Sequence, residues 1–325
     1  MSLQYEILKT LSDGHFHSGE MLAKQLSVTR AAVWKAVKAI RSKYGIDIHS
    51  VHGRGYSLPH MLELLDVDKI TRQLRHADTL NDVESHLSID STNRYLMKKA
   101  ATETSAPSVV FAEHQTGGRG RRSRQWVSPF SGNIYMSLLW RFQHVPSELM
   151  GLSLAIGVAV CRVLKELGVA ELSLKWPNDI LCQGRKLCGI LVEMHGESNG
   201  PYAVVVGLGL NVFMDETQSE AIEQPWIDLR SVLPGEIPRN RIAALLTDSL
   251  VETLQVFEQH GLKPFIEPWC TMDAYKNRNV QMLCADQVIT GVSRGIDNQG
   301  ALLIEQDGKM LRFYSGEVSL RAGIT

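Results

Sequence analysis

Within the first sixty residues the hydrophobic periodicity changes once, at Gly45, and that change restricts the kind of module the chain can begin with. Before Gly45 the apolar residues recur every three or four positions, the signature of helical faces, and after it they alternate, as in strands. Leu3, Ile7, Leu8 and Leu11 give a first short helix, closed by "SDGH". Ser18 stands where an N-cap belongs, Glu20 falls in the first turn, and Leu22 with Leu26 form a second apolar face that "SVT" breaks. A third helix is expected from Thr29 as N-cap, with Val33, Val37, Ile40 and Tyr44 inward and Gly45 as its stop. The runs "IDIHSV", "HGRG" and "YSL" then read as a hairpin with a Gly-rich tip carrying Arg54. Three helices and a hairpin make a winged helix-turn-helix. The outward face of its third helix carries Arg30, Ala31, Trp34, Lys35, Lys38 and Arg41, so Thr29, Arg30, Trp34, Lys35, Lys38 and Arg54 are the candidate DNA contacts. A winged helix used for protein contacts, its cations merely solvating one face, is the alternative.

The chain's charge supports the DNA reading once it is divided. The 325 residues carry 34 Lys plus Arg and 35 Asp plus Glu, a net −1 that points to no polyanionic partner. Residues 1–60, however, hold eight basic and four acidic side chains, and the remainder 26 against 31, so a +4 module precedes a −5 body. The length allows two or three domains. The five cysteines, Cys161, Cys182, Cys188, Cys270 and Cys284, include no CxxC and no zinc spacing, and are expected as reduced thiols of a cytoplasmic protein. No secretory signal opens the chain, and its longest charge-free apolar stretch, Leu149 to Cys161, is shorter than the roughly 20 residues of a membrane span, so a buried helix and no membrane partner are expected. Pro59 and the helix-like "LLDVDKITRQLRH" read as the exit from the first module.

From about residue 78 to 270, β-rich runs ("SVVFAEH", "NIYMSLLW", "LSLKW", "AVVVGLGLNV") alternate with helical stretches at 93–101, 147–167 and 239–260, a mixed α/β domain around one sheet. Its most informative segment is "HQTGGRGRRSRQW", in which Gly117, Gly118 and Gly120 interleave with Arg119, Arg121, Arg122 and Arg124. Glycines let the backbone approach a ligand closely, and guanidiniums offer forked donors to carboxylate and phosphate. A basic tail or an RNA-contacting loop is the alternative, opposed by the adjoining strand and the Trp126 anchor. No Walker A "GK[ST]" accompanies it. In "KWPND" a strand should end at Lys175, with Pro177 stopping the ladder and Asn178 and Asp179 in the turn. Gly184 marks a hairpin tip, which returns Lys186 toward Asn178 and Asp179, although a hairpin Lys is commonly just an edge residue. "GLGLNV" has two glycines of a dinucleotide loop but Val212 in place of the third, and is better read as close backbone approach to a ligand with Asn211 as a donor. "DSTN", Asp90 to Asn93, taken alone is a helix cap. A nucleophile elbow, HExxH and kinase motifs are missing, so no covalent enzyme intermediate is indicated.

The set "DSTN", "GGRGRR", "KWPND", "GRKLCGIL" and "GLGLN", in this order behind a winged helix-turn-helix, resembles the bifunctional biotin–protein ligase and biotin operon repressor family along the whole chain. The resemblance implies an α+β multidomain fold: a winged helix-turn-helix over 1–62, a central mixed α/β sheet domain similar to that of class II aminoacyl-tRNA synthetases over 63–271, and a small C-terminal SH3-like β-barrel over 272–325. The last agrees with the short strands "NVQMLC", "QVITGVSRGID", "GALLIEQ" and "KMLRFYSGEVSL". It implies that biotin and ATP form biotinyl-5′-AMP, that the biotinyl group passes to a lysine of the biotin carboxyl carrier protein of acetyl-CoA carboxylase, and that the adenylate is a corepressor at operator DNA. By match to the family, Ser91, Thr92, Asn93 and Gln115 would line the biotin site, and Arg119, Gly120 and Arg121 would close over it. Lys186 would stand between the biotin carboxyl and the α-phosphate. Arg122, Arg124, Trp126, Asn178, Asn211 and Trp226 would lie on the nucleotide side, Trp226 covering adenine. Lys186, Arg121 and Asp179 are the expected catalytic set, with Asp179 accepting the lysine proton or orienting Mg²⁺. Ser123 replaces the family loop's usual last glycine. A loop that orders over the adenylate would promote a homodimer presenting two recognition helices. A lipoate-type acyl-adenylate ligase, or a ligand-sensing transcription factor without ligase activity, is the rival reading.

Overall fold

The computed structural model describes residues 2–59, 61–102, 107–142, 149–195, 202–214, 222–283, 288–314 and 319–322. Helices α1 (Leu3–Leu11), α2 (Gly19–Gln25) and α3 (Arg30–Tyr44) start at Ser2, Ser18 and Thr29, whose side chains accept the backbone N–H of Tyr5, Met21 and Ala32. Gly45, at φ +64°, ends α3 in the left-handed conformation that a Cβ would disfavour. Ile7, Leu11, Leu22, Val33, Val37, Ile40 and Ile48 close a small core of their own. The wing, β1 (His49–Val51) with β2 (Gly55–Ser57), pairs His49 with Ser57 and is held to the start of α2 by reciprocal bonds between His17 and Tyr56. A Cβ on Gly55 would lie 2.1 Å from the His17 carbonyl oxygen, so glycine is required there.

The expected exit helix is shorter than its pattern. Only Val67–Thr71 (α4) is α-helical; Gln73 and Leu74 turn more tightly onto the Ile70 and Thr71 carbonyls, and the carboxylate of Asp248, 173 residues from Arg75, holds the N–H groups of Arg75 and His76.

Seven strands form the central sheet: β3 (Asp82–His86), β4 (Ser108–Ala112), β5 (Ile134–Phe142), β6 (Leu172–Lys175), β7 (Asp179–Cys182), β8 (Arg185–His195) and β9 (Tyr202–Leu210), in the order β3-β4-β5-β9-β8-β7-β6. β3 and β4 are parallel, joined across the helix α5 (Thr92–Thr102), and the other pairs are antiparallel. α5 packs on one face over Val110, Leu139, Ala203 and Val205. The helices α6 (Leu152–Glu166) and α7 (Arg239–His260) cover the other, and α8 (Lys263–Thr271) packs against α6 and the C-terminal sheet. β5 is therefore apolar on both sides, as its continuous hydrophobic run anticipates. Of the expected 147–167 helix, Leu149–Gly151 is a 3₁₀ turn and α6 begins at Leu152, while residues 147 and 148 lie outside the described residues.

The C-terminal strands β10 (Asn279–Leu283), β11 (Val288–Ile296), β12 (Leu302–Gln306), β13 (Lys309–Phe313) and β14 (Ser319–Ala322) form an antiparallel sheet in the order β13-β12-β11-β10-β14, so the run "KMLRFYSGEVSL" supplies two strands rather than one. This unit is joined to the central sheet along β6, where Met272 and Ala274 bracket Leu174 in a parallel bridge and the Trp176 indole donates to the Gly300 carbonyl at 3.0 Å. Among the described residues no helix is long and apolar enough to cross a membrane. Cys161, Cys182, Cys188 and Cys270 are free thiols, burial pushing Cys161 up to about 12, and Cys284 lies outside the described residues.

Candidate active site

The face of the sheet at β5, β8 and β9 opens into a cavity of about 800 Å³, within the range of small-molecule sites. Its floor is glycine because side chains must lie directly on the strands. A Cβ on Gly207 would meet the Asn93 carboxamide at 2.1 Å, and one on Gly209 would meet the Trp126 ring at 2.4 Å. The glycines of "GLGLN" thus admit two of the chain's own side chains. β9 runs antiparallel to both of its neighbours, β5 and β8, unlike the parallel strand of a dinucleotide-binding βαβ unit.

At one end a chain of hydrogen bonds crosses from the loop to the sheet. Gln115 Nε2 donates to Ser128 Oγ at 3.1 Å, and Gln115 Oε1 accepts from Thr92 N at 2.9 Å. Ser137 Oγ lies 2.7 Å from Thr92 Oγ1 and 2.6 Å from Asn93 Oδ1, and Asn93 Nδ2 donates to Glu193 at 2.9 Å. Ser91, Thr92, Asn93 and Gln115 line the cavity here. "DSTN" is also the weak cap its pattern suggests: Ser91 Oγ is 3.5 Å from Arg94 N.

The Arg-rich segment is a small hairpin rather than a free tail. Arg119 bridges Gln125, Gly120 N donates to Arg124 O at 2.7 Å, and Trp126 N to Gly118 O at 2.9 Å, with Arg121–Ser123 at the tip and Arg122 at φ +56°. Arg119, Gly120, Arg121, Arg122, Arg124 and Trp126 all line the cavity. Burial and the neighbouring Arg122 and Arg124 hold the Arg121 guanidinium below its ordinary range, with Asp179 opposing them. Cations gathered so closely favour an anionic ligand. Trp126 Nε1 is buried with no hydrogen-bond partner among the described residues.

Opposite the hairpin, Lys186 Nζ contacts Asp179 Oδ1 at 2.9 Å and lies 5.2 Å from the Trp126 ring centroid. Both ion-pair side chains are largely buried. Asp179 opens β7 rather than sitting in the turn: it pairs with Lys175 on one side and Gly189 on the other. A register shift between Ile180 and Leu181 then brings Lys186 alongside. Trp226 enters the cavity because residues 225–227 pair with the Lys186 backbone: Lys186 N donates to Pro225 O and Ile227 N to Lys186 O, each at 2.9 Å. Asn178 and Asn211 line the cavity too, but their amide N–H groups hold backbone carbonyls, Ile190 at 2.8 Å for Asn178, and Ile227 at 3.1 Å and Lys186 at 3.4 Å for Asn211.

Sequence reasoning missed Ser128, Ser137 and Glu193. Ser137 and Glu193 interrupt otherwise apolar strand runs, which is their one local signal. No cluster of three or more His, Cys, Asp or Glu able to hold a metal occurs among the described residues. On the winged helix, Arg30, Lys35, Lys38 and Arg54 are exposed, and Trp34 is 54% exposed with Lys38 5.4 Å over its ring. Thr29 also caps the helix, Arg41 turns back to the Ile48 carbonyl, and Arg54 stacks 4.2 Å over Phe16.

Fold and cavity together define a winged-helix protein with a ligase-type sheet domain. Three family models match it: an HTH domain over residues 4–57, the biotin/lipoate A/B protein ligase family over 86–211, and the biotin protein ligase C terminal domain over 276–321. The chain is 43% identical to the bifunctional ligase/repressor BirA of Salmonella typhimurium over 97% of both chains, and 41% identical to that of Escherichia coli over 98% of this chain and 97% of the other. Among solved structures, the biotin protein ligase of Aquifex aeolicus in complex with biotin and ATP superimposes with a TM-score of 0.66 at 28% identity, covering 75% of this chain and all of that one. The chain belongs to the biotin protein ligase family, in its bifunctional ligase/repressor branch.

Proposed function

We propose that the protein joins biotin to ATP and transfers the biotinyl group to a lysine of a carrier protein, and that with the adenylate bound it represses biotin synthesis genes. The observation that carries the reading is the meeting of Arg121, Arg122, Arg124 and Lys186 with the neutral polar set Ser91, Thr92, Asn93 and Gln115 around one cavity, with Arg119, tied through Glu193 to Asn93, on the polar side. A neutral hydrogen-bonding end suits the biotin ring system, and a cationic end suits the triphosphate.

In the first step a biotin carboxylate oxygen attacks the α-phosphorus and pyrophosphate leaves. Two anions must meet, so fixed positive charge is needed where their charges approach, and Lys186 and Arg121 supply it. In the second step the carrier lysine, as a free amine, attacks the acyl carbonyl carbon, AMP leaves, and Asp179 accepts the amine proton. In the alternative role Asp179 would instead help hold Mg²⁺, which would supply further neutralisation of phosphate charge. The unit boundaries at 62/63 and 271/272, the cytoplasmic setting, the carrier of acetyl-CoA carboxylase, and a ligand-promoted homodimer that sets two α3 helices on two operator half-sites belong to the same reading.

The decisive experiment incubates the protein with ATP, biotin and a carrier domain and follows adenylate and carrier by mass. A modified carrier is expected, whereas a sensor would leave it unmodified and a lipoate-type enzyme would use lipoate in place of biotin. Lys186→Ala should lower adenylate formation by about 10²-fold or more with the fold kept, and activity like that of the unsubstituted protein would remove Lys186 from this role. In the DNA arm, Lys35→Ala and Lys38→Ala should each reduce the salt dependence of binding by about one unit of log–log slope, and unchanged slopes would refute phosphate contact by α3.

A further inference from the structure

Glu193 lies on β8, opposite Val205 of β9, and does not line the cavity. Its carboxylate nevertheless holds two residues that do. Arg119 Nη2 donates to Oε1 at 2.9 Å and stands 3.3 Å from Oε2, which accepts Asn93 Nδ2 at 2.9 Å. Arg119 belongs to the hairpin and Asn93 to the first turn of α5, so one carboxylate ties the loop to the polar end of the cavity across 74 and 100 residues of chain. A second acidic residue does matching work at the cationic end, where Asp179 meets Lys186 at 2.9 Å.

We infer that Glu193 is a positioning residue of the biotin end: by pairing with Arg119 while accepting from Asn93, it holds the loop in the arrangement that receives biotin. The inference rests on the adenylate-forming reading of the cavity. Physically, four guanidiniums within six residues repel one another, and a flexible Arg-rich hairpin loses conformational freedom when it closes on a ligand. A carboxylate that already holds Arg119 against the sheet reduces both costs, and its second bond fixes the Asn93 carboxamide that Gly207 admits.

Glu193→Gln separates the two contacts. The Gln carbonyl still accepts from Asn93, but the charge partner of Arg119 is gone. Both ion-pair side chains are partly exposed, at 37% and 26%, so the pair is a modest one. Steady-state pyrophosphate release by the full-length protein, with biotin and ATP varied separately, should show the KM for biotin raised about fivefold and the KM for ATP changed less than about twofold. Glu193→Ala, which also strands the Asn93 amide, should raise the biotin KM further. In an Arg119→Ala background Glu193→Gln should have no additional effect, because its influence passes through Arg119, and a purely structural loss would instead multiply. Unchanged or lower biotin KM, equal changes for both substrates, or multiplying effects in the double variant would overturn the inference. Thermal melts of each variant identify any that fail to fold, in which case Glu193→Asp, which keeps the charge on a shorter arm, takes its place with an intermediate biotin KM expected. If the unsubstituted protein releases no biotin-dependent pyrophosphate, the adenylate reading falls. If it does and Glu193→Gln matches it, the positioning role alone falls.

Discussion

Arg239→Met removes the centre of the polar cluster that joins the three parts of the active domain's scaffold. Arg239, the first residue of α7, is 5% exposed, and its Nη2 meets Glu113 Oε2 at 2.9 Å, where Glu113 is 1% exposed. The same guanidinium donates to the carbonyls of Glu63 and Asn133 at 2.5 and 2.6 Å and to Ser131 Oγ at 3.1 Å. Glu63 belongs to the segment leaving the winged helix, and Ser131 and Asn133 to the return from the Arg-rich hairpin. Breaking a buried pair from one side leaves the other charge uncompensated, a loss of about 3–5 kcal/mol. At roughly 2–4 °C per kcal/mol for a domain of this size, the midpoint of thermal unfolding should fall by about 10 °C or more. Urea unfolding followed by tryptophan fluorescence gives the free energy directly. The double variant Glu113→Gln/Arg239→Met is the control. Gln removes the stranded charge while still accepting the Leu65 N–H that Glu113 Oε1 now accepts at 2.5 Å, so the double variant should be more stable than Arg239→Met. A loss below about 1 kcal/mol in the single variant, or a double variant no more stable than it, would refute the reasoning.

Gly209→Ala places a methyl 2.4 Å from the Trp126 ring, so the ring must leave its seat beside Lys186; pyrophosphate-release kinetics should show at least a tenfold loss in kcat/KM with the melting temperature little changed, and undiminished activity would show that the ring position is immaterial. Burial, then the charge of Lys43, lowers the pKa of His114, whose Nδ1 lies 3.0 Å from Ser88 Oγ. A histidine depressed in the native state binds its proton more readily when unfolded, so its full contribution to stability is present above about pH 6.5 and declines as pH falls through the depressed native value. Urea midpoints of the native protein should therefore fall between pH 7.5 and 5.5 more steeply than those of His114→Phe, and parallel curves would contradict this. Phe130→Ala should weaken the effect of bound adenylate on DNA affinity, measured by fluorescence anisotropy with and without biotin plus ATP, and an unchanged ratio would disconnect Phe130 from that effect.

What could be read from the chain was local. Ser18, Thr29 and Gly45 terminate helices by bonds within three or four residues of themselves, and all three stand where their residue types place them. The cavity's motifs were legible for the same reason: each is a short turn or strand end whose residue types declare an exposed polar position. Legibility failed where a partner is distant. The exit helix reads as continuous, yet it ends at Thr71, and the N–H groups of Arg75 and His76 beyond it go to the distant Asp248. β3, "DVESH", alternates too weakly to announce itself, since as an edge strand it is half-buried and its Glu84 faces Tyr95 and Lys99. Glu113 and Arg239 are 126 residues apart, and neither residue type predicts burial without the other. The glycines of "GLGLN" announced a close approach, but only the packed structure shows Asn93 and Trp126 making it.

Among the described residues, Tyr44 is one direct link between the winged helix and the hairpin that lines the cavity. Tyr44 ends the recognition helix α3, and its hydroxyl donates to Gln4 in α1 at 3.1 Å. Its ring lies 4.9 Å from that of Phe130 and 6.2 Å, edge-on, from that of His114. His114 immediately precedes Gln115, and Phe130 follows Ser128 by two positions, so Tyr44 rests against both stems of the hairpin that lines the cavity. Two aromatic contacts are worth about 1–3 kcal/mol together, which caps what they can transmit at a factor of about 5 to 150, and then only if hairpin closure made or broke both entirely. Partial rearrangement transmits less. A ligand effect on DNA affinity above that range would need a further route, and the proposed homodimer would give one, because joining two recognition helices would make the second half-site contact intramolecular and multiply rather than add.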